Sequence, residues 1–400
     1  MPAKKPRLAE ELRSTRHGWL FHIPLVLMAC LFMLPLVWML SISVKPLEQT
    51  TDPSFDPLPR GFYVKTGDGR LLPVYRERRL TEAGYLVEIT SGKSPGTRNY
   101  VRRQDMKGEM ALLANGQMVG VKVVQRVEAT PENPLWLVRE WREKDVDTKG
   151  VSAVQGDTSR YVAVVTPEEI TEAVKPLWVN YPTGLRRMNF WGALLNTLLV
   201  CLMGVVGVTA SSVLVAYGLA FIDFRGRKAL FVLTLATMMI PFPATMVPLF
   251  GVFRWLGWVG TFKPLWVPAW FGNAFFIFLL RQFFKGIPKD LLDSARLAGA
   301  SELQILWHVV LPLSRPALAM VALFHFLFCW KDFMGPLLYL NDKARHTLSL
   351  ALQNFHAEQG GTPWHLMMAA SAVFSLPLIV LFFLTVKTFI RSITMTGLKG

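Results

Sequence analysis

Polar side chains that interrupt apolar stretches are the residues of this chain best placed to do chemistry. Asn196, Asn273, Lys331 and Asp332 all lie within runs of hydrophobic residues. A charge at the centre of a bilayer costs about 2.5–3.5 kcal/mol on insertion scales, so such residues usually face a cavity or a partner. Because Lys331 and Asp332 are adjacent, a helix would turn them about 100° apart and they could not simply pair. Two interpretations stay open: the charges reach the outer headgroups, or the polar residues line a water-filled pathway.

No complete catalytic or metal-binding constellation is recognisable in the sequence. The seven histidines form no His-x-x-x-His or His-Glu-x-x-His pattern. The three cysteines have neither the spacing of a metal site nor that of a disulfide framework. Gly92-Lys93-Ser94 is similar to the end of a phosphate-binding loop, but Val87 occupies a position where that loop requires glycine. We therefore expect a non-catalytic chain that binds no metal and no nucleotide of its own.

Apolar stretches long enough to cross a membrane recur along the chain, which has 400 residues and is 52% hydrophobic. A helix needs about 20 such residues to cross about 30 Å of hydrocarbon. The first stretch is too long for a signal peptide and lacks a small-x-small cleavage site, so it predicts an uncleaved helix. We expect an all-α polytopic membrane protein with six transmembrane helices, at 19–45, 190–222, 229–250, 264–281, 316–340 and 364–388.

The basic residues between these stretches indicate the orientation of the chain. Lys and Arg cluster in the N-terminal tail 1–18, between the second and third helices, within 282–315, and around the C-terminal tail 389–400. If six helices alternate across the membrane, all these clusters fall on one side, which the positive-inside rule identifies as the cytoplasm. The sequence thus predicts cytoplasmic N and C termini. The net charge of +15 is an orientation and lipid signal, so nucleic acid is not an expected partner.

A long polar segment separates the first helix from the second. Residues 46–175 include the proline-rich DPSFDPLPRG, and turn signals such as TGDG and ANGQ follow. Between the turns lie the strand-like runs GYLVEIT, RNYVRR, MVGVKVVQRVEA, LWLVREW and RYVAVVT. We expect an inserted β-rich domain, which the alternation of helices places outside the cytoplasm. A long loop does not obey the charge rule, so its own composition is compatible with that side.

The predicted cytoplasmic loop 282–315 has the pattern of two short helices. Pro288 suits the first turn of a helix that presents small residues up to Gly299, a natural left-handed stop. The four residues from Ser301 then have the form of a capping box, and the second helix is expected to end at Pro312. Small residues permit the close approach of another surface, so the loop fits a groove in a cytoplasmic partner. A helix pair that contacts only lipid headgroups is the alternative.

The loop 288–312 resembles the EAA loop of permease subunits of bacterial ABC importers. Asp293-Ser294-Ala295 stands for Glu-Ala-Ala, Gly299 for the later glycine, and Val310-Leu311-Pro312 for the Ile/Val-x-Leu-Pro that follows. The departures are Asp for Glu, Ser for Ala, and Ala298 for the usual Asp, and they keep the small-residue face. The coupling residues that the resemblance implies are Asp293, Ser294, Ala295, Gly299, Ala300, Leu311 and Pro312.

The resemblance extends over 19–45 and 176–400 and leaves the insert 46–175 outside. WVNYPTGLRRMNFWGALLNTLLV and FCWKDFMGPLLYLNDKARHTLSLALQNF are similar to the carbohydrate branch of these importers. The final MTGLKG is similar to the tail of the maltose-type second permease. That similarity implies contact with an ATPase through Thr396, Gly397, Leu398, Lys399 and Gly400.

The resemblance implies one subunit of an ATP-driven importer in the bacterial inner membrane. A second permease subunit would complete the pathway for a carbohydrate-like solute, and an extracytoplasmic solute-binding protein would deliver that solute. Two ATPase subunits would bind the loop 288–312 and the tail, and they would hold the ATP and Mg²⁺. We expect the insert to be an accessory docking domain for the binding protein.

Other functions stay open at this point. The chain could be an ATPase-coupled membrane anchor of an extracytoplasmic signalling or envelope-remodelling domain, because long outer insertions and ATPase contacts fit that function as well. A secondary transporter should show repeated halves, which this sequence lacks. Prolines in the third helix favour transport, because a broken helix in lipid needs a protein or water partner for its freed carbonyls.

Overall fold

The computed structural model describes residues 18–50, 56–91, 95–113, 116–140, 161–356 and 362–396. The chain forms two compact units, Met1–Gly184 with Phe355–Ala372 and Leu185–Asn354 with Val373–Gly400. The helices are α1 (Gly18–Ser43), α2 (Leu47–Thr50), α3 (Asn180–Arg187), α4 (Phe190–Phe221), α5 (Arg227–Thr237), α6 (Phe242–Trp255), α7 (Lys263–Trp266), α8 (Ala274–Lys285), α9 (Lys289–Leu297), α10 (Glu302–Ile305), α11 (Leu311–Leu313), α12 (Arg315–Lys331), α13 (Met334–Tyr339), α14 (Leu348–Ala351) and α15 (Trp364–Thr396).

Several helices in the described part of the chain are long and apolar enough to cross a membrane. Four do so as single stretches, and they are His22–Ser43, Phe190–Phe221, Lys263–Lys285 and Trp364–Thr385. Two bent pairs raise the number to six if each pair forms one span, namely α5 with α6 and α10–α11 with α12. Five of these positions coincide with the apolar stretches of the sequence. The second bent pair overlaps the predicted helix 316–340 only in α12, which ends at Lys331, so that prediction is wrong over 332–340. The pattern is that of a polytopic membrane protein.

The third apolar stretch is broken between α5 and α6, which are bent by 97°. Pro241 stands at the break with an extended backbone, at φ −69° and ψ 142°. Proline offers no amide hydrogen, and it disfavours the helical conformation of the residue before it. The proline-induced break predicted for this stretch is therefore confirmed.

The second loop helix ends at Leu313, one residue after Pro312, so the predicted end is confirmed to within one residue. A π-helical turn, Leu306–Val310, precedes the proline, and the next amide bonds to the carbonyl five residues back. The proline ring collides with the carbonyl four residues earlier in a regular helix, so a wider turn accommodates it. The chain bends later, by 81° between Glu302–Leu313 and Arg315–Lys331.

The segment between α1 and α3 folds into two antiparallel sheets of five strands each, in the orders β10-β1-β2-β8-β9 and β4-β3-β7-β6-β5. All five strand-like runs of the sequence contain strands, so the β-rich prediction is confirmed for this segment. A shared apolar core includes Leu80 and Leu137 of the first sheet and Leu86 of the second. The strands are β1 (Arg60–Lys65), β2 (Leu71–Leu80), β3 (Gly84–Ile89), β4 (Arg98–Arg102), β5 (Met106–Lys107), β6 (Met110–Leu112), β7 (Met118–Val127), β8 (Leu135–Glu140), β9 (Val162–Val165) and β10 (Ile170–Val174).

The two ends of this β domain are held together where they meet the helices. The Leu177 amide donates to the Val44 carbonyl at 2.8 Å. The side-chain amide of Asn180, a fully buried residue, donates to the carbonyls of Ser43 and Lys45, each at 2.9 Å. A buried amide with two such bonds is costly to replace, because the carbonyls that it serves would lose their partner. The insert thus leaves and rejoins the helical part of its unit at one point.

Candidate functional site

Helix α9, the first helix of the predicted loop, buries one edge and exposes its small residues. Leu292 belongs to the buried core that the loop shares with α4, α8 and α12. Ser294 and Ala298 are exposed, and Leu297 beside them is 91% exposed. Leu297 comes five positions after Leu292, which turns it about 140° around the helix, away from the buried side. That spacing is the signal in the sequence for an exposed Leu297.

The first loop helix ends in a Schellman motif at Gly299. This glycine has a φ of +83°, and its amide bonds to the Arg296 carbonyl at 2.9 Å. The Ala300 amide bonds to the Ala295 carbonyl at 3.0 Å, which completes the pair of bonds that satisfies the free carbonyls of a helix end. No atom lies within 4 Å of where a Cβ of residue 299 would be. The predicted left-handed stop is confirmed, and backbone conformation rather than crowding restricts the position.

The second loop helix begins with the predicted capping box. The Gln304 amide donates to Ser301 Oγ at 3.4 Å, and the Ser301 amide donates to Gln304 Oε1 at 2.8 Å. Ile305 is fully buried in the core that includes α4, α8 and α12. The predicted coupling residues divide into Ala295, Ala300 and Leu311, which pack on this core, and Asp293, Ser294, Gly299 and Pro312, which are exposed.

A chain of polar contacts joins the two loop helices to α4. Arg296 donates to Asp293 Oδ1 and to Glu302 Oε1, each at 2.9 Å. The hydroxyl of Tyr217, near the end of α4, donates to Glu302 Oε2 at 2.5 Å. Neither Tyr217 nor Glu302 is a defining residue of a recognisable sequence motif, so neither is among the predicted site residues.

The electrostatics of this chain of contacts favour the ionised form of Glu302. The guanidinium of Arg296 lowers the pKa of Glu302, and the hydroxyl of Tyr217 lowers it further. In turn, Glu302 and Asp293 raise the pKa of Arg296. Asp293, one of the predicted coupling residues, therefore already has a basic neighbour within its own loop.

Two of the polar residues predicted to line a pathway make hydrogen bonds that organise the backbone. The side-chain amide of Asn196 donates to the carbonyls of Ala344 and His346, each at 3.0 Å. Asn273 caps α8, and its Oδ1 accepts from the Phe275 amide at 3.0 Å. Their role in a pathway stays a prediction.

The other two lie at a break in the fifth apolar stretch. Lys331 is the last residue of α12 and is exposed. Asp332 Oδ1 accepts from the Gly335 amide at 3.0 Å, and this bond satisfies a free donor in the first turn of α13. A contact of either residue with a solute also stays a prediction.

Some predicted features fall outside the described residues. The helix α15 ends at Thr396, and Gly397, Leu398, Lys399 and Gly400 lie beyond the described part of the chain. The same is true of the tail 1–17 and of 92–94. The contact between the C-terminal tail and an ATPase therefore stays a prediction.

Comparisons with known proteins cover the helical part of the chain. Residues 210–395 match the family described as "Binding-protein-dependent transport system inner membrane component". The chain is 32% identical over 223 residues to the osmoprotective compounds uptake permease protein GgtD of Synechocystis sp., which covers 55% of this chain and 74% of that protein. It is 33% identical over 205 residues to the arabinooligosaccharides transport system permease protein AraQ of Bacillus subtilis, with 51% and 72% covered. It is 32% identical over 215 residues to the trehalose/maltose transport system permease protein MalG of Thermococcus litoralis, with 53% and 77% covered.

Proposed function

The chain belongs to the family of binding-protein-dependent transport system inner membrane components, and from this premise we propose its solute class, its partners and its coupling surface. It is a multi-pass, non-catalytic permease subunit of an ABC importer, as the sequence motifs predict. The relatives do not support the alternative of a signalling anchor, because they are transport permeases. The solute is carbohydrate-like, since the names of two relatives specify arabinooligosaccharides and trehalose/maltose.

The loop 288–312 receives the ATPase subunits in this proposal. One observation supports it above all: the loop exposes Leu297 and the small residues around Gly299, while its other side is buried on the transmembrane core. Small residues allow the surface of a partner to approach closely. The buried side of the loop holds the loop in place on the transmembrane core when that partner moves. Two ATPase subunits hold ATP and Mg²⁺, a second permease completes the pathway, and the tail after Thr396 makes a further ATPase contact.

Reconstitution tests this function directly. The chain is coexpressed with its partner permease and the ATPase subunits, and the complex is placed in liposomes. We expect the ATPase subunits to copurify, and we expect a saccharide-loaded binding protein to stimulate both ATP hydrolysis and uptake of the saccharide. Copurification without any stimulation by a panel of saccharides and polyols would contradict the proposed solute class. Failure of the ATPase subunits to copurify would contradict the proposed partners.

The proposed topology has six spans, with both termini in the cytoplasm and the β domain outside. The basic clusters that flank the loop 282–315 support it, because the positive-inside rule places them on the cytoplasmic side. Cysteine labelling tests it in a cysteine-free background. A membrane-impermeant reagent added from outside should label Arg70→Cys, since the Arg70 side chain is 86% exposed. It should miss Ser301→Cys in intact cells and label it after lysis. The reverse pattern would overturn the orientation.

The β domain is proposed to receive the binding protein. Its two ends are joined by the bond between Leu177 and Val44, so the domain can be removed without separating the helices that it connects. We would replace 60–174 with a short Gly/Ser linker and measure the affinity of the assembled transporter for the binding protein. We expect a large loss of affinity with the ATPase subunits still attached. Unchanged affinity and transport would show that the domain serves something outside this transporter.

A further inference from the structure

Tyr217, near the C-terminal end of α4, bonds to Glu302 of the loop, and Glu302 in turn bonds to Arg296. We call these three residues the latch, because they join the loop to a transmembrane helix. We propose that the latch residues are positioning residues, which fix the coupling loop to α4 and pass its displacement to the opposite end of that helix. The inference rests on the proposed docking of ATPase subunits at the loop. It goes further by naming the connection through which the docked loop acts.

The latch adds hydrogen bonds, which have a fixed geometry, to a contact between the loop and α4 that is otherwise apolar. Leu292, Ile305 and Leu306 bury the loop against α4, α8 and α12, but apolar surfaces in contact can slide past each other. Glu302 instead accepts one bond from Tyr217 at 2.5 Å and two from Arg296, at 2.9 and 3.3 Å. Tyr217 is 4% exposed, so its ring cannot move without repacking the core around it. The Tyr217–Glu302 bond fixes the register between loop and helix, and Arg296 holds the Glu302 carboxylate in place from within the loop.

Helix α4 has hydrogen bonds to other segments along its length. Near its middle, the Met203 carbonyl accepts from Trp270 Nε1 at 3.1 Å. Toward its start, the Asn196 side chain binds two carbonyls of the segment 344–346, and Thr197 Oγ1 accepts from the Leu348 amide at 2.9 Å. All these partners belong to the same compact unit as the loop.

The two bonded ends of α4 are separated by the thickness of a membrane. Tyr217 and Asn196 are 21 residues apart in one unbroken helix, which at a rise of 1.5 Å per residue is about 32 Å. The hydrocarbon core of a bilayer is about 30 Å thick. A displacement of the loop on one side therefore reaches the segment 344–348 on the other side through a single helix. This geometry gives Asn196 a second role, as the far end of the connection.

A merely structural role for the latch has a different consequence. If it only stabilised the loop, its loss would lower the amount of assembled transporter, and transport and ATP hydrolysis would fall in proportion. If it transmits displacement, ATP hydrolysis continues while less solute is moved. The ratio of solute transported to ATP hydrolysed separates the two cases, because it does not depend on the amount of complex.

The experiment uses the complete transporter in proteoliposomes with three variants, Tyr217→Phe, Glu302→Gln and the double variant. Tyr339→Phe, a buried tyrosine of α13 outside the latch, is the matched control. We expect the ATPase subunits to copurify in every case. The ratio should fall about three- to tenfold in each single variant, the range expected for loss of the net contribution of one ordinary hydrogen bond. It should fall no further in the double variant, and it should stay unchanged in the control.

Two results would overturn the latch. The ratio could stay at the wild-type value in both single variants, whether or not uptake and hydrolysis fall together, or the effects of the two substitutions could simply multiply. Neither of these results touches the proposed docking of the ATPase, which is tested separately by copurification of the ATPase subunits with the unaltered chain.

Discussion

Substitution of Gly299 should impair coupling because residue 299 has a backbone conformation that favours glycine. The free-energy cost of the substitution can be derived from the structure. The φ of +83° belongs to a region that costs an L residue about 1–2 kcal/mol. Because a Cβ there meets no atom within 4 Å, Gly299→Ala adds strain and no clash. A cost of 1–2 kcal/mol lowers the population of the native turn relative to alternatives by about 5- to 30-fold. Gly299→Leu adds a large side chain on the exposed docking surface, whereas Gly299→Asn tolerates the left-handed conformation.

The assay is uptake of saccharide by proteoliposomes that contain the complete transporter, with ATPase copurification measured in parallel. We expect uptake to decrease in the order Gly299, Gly299→Asn, Gly299→Ala, Gly299→Leu, with membrane insertion unaffected. Gly299→Leu should also lose bound ATPase subunits. Normal uptake by Gly299→Leu would refute the coupling assignment. Loss of uptake in Gly299→Asn equal to that in Gly299→Leu would refute the argument from backbone conformation.

Three further outcomes follow from other parts of the chain. Asp293→Lys places a second positive charge beside Arg296 in place of an ion pair, so uptake should fall while insertion is retained, as a membrane-fraction blot would check. Because Arg296 and Tyr217 lower the pKa of Glu302 from 4.5, its contribution to stability is present above about pH 4.5 and is lost as the pH falls through the lowered value. Thermal unfolding of the complex at a series of pH values, compared with Glu302→Gln, should show that loss only at the acid end. Asn180→Ala should destabilise the junction of the β domain by about 1–3 kcal/mol, seen as faster proteolysis between that domain and α1.

The features that could be predicted from the sequence are those whose conformation depends on residues nearby in the chain. The turn at Gly299 and the capping box at Ser301 are local motifs, and both are present. The strands were predictable for the same reason, since β-branched runs alternate with turn residues. The end of the second loop helix next to Pro312 was predictable in the same way, whereas the π-helical turn before that proline was not.

The contacts that could not be predicted join distant parts of the chain. Tyr217 and Glu302 are 85 residues apart, and Asn196 bonds to carbonyls about 150 residues away. Neither partner has an unusual neighbourhood in the sequence, because a carboxylate in a loop is ordinarily solvated. Asn196 attracted notice as a polar residue in an apolar helix, but its partners are backbone carbonyls, which no residue pattern identifies.

Site-specific cross-linking from Leu297 tests most directly that this loop is the coupling surface. Leu297 is 91% exposed, and a photoreactive amino acid at this position reports what covers it in the assembled transporter. Trp255, which is 85% exposed and lies at the end of α6, is the control position. The account predicts a cross-link from residue 297 to an ATPase subunit, with a yield that changes on ATP binding, and no ATPase cross-link from residue 255. A cross-link from residue 297 to lipid alone, in a complex that still contains the ATPase subunits, would contradict it.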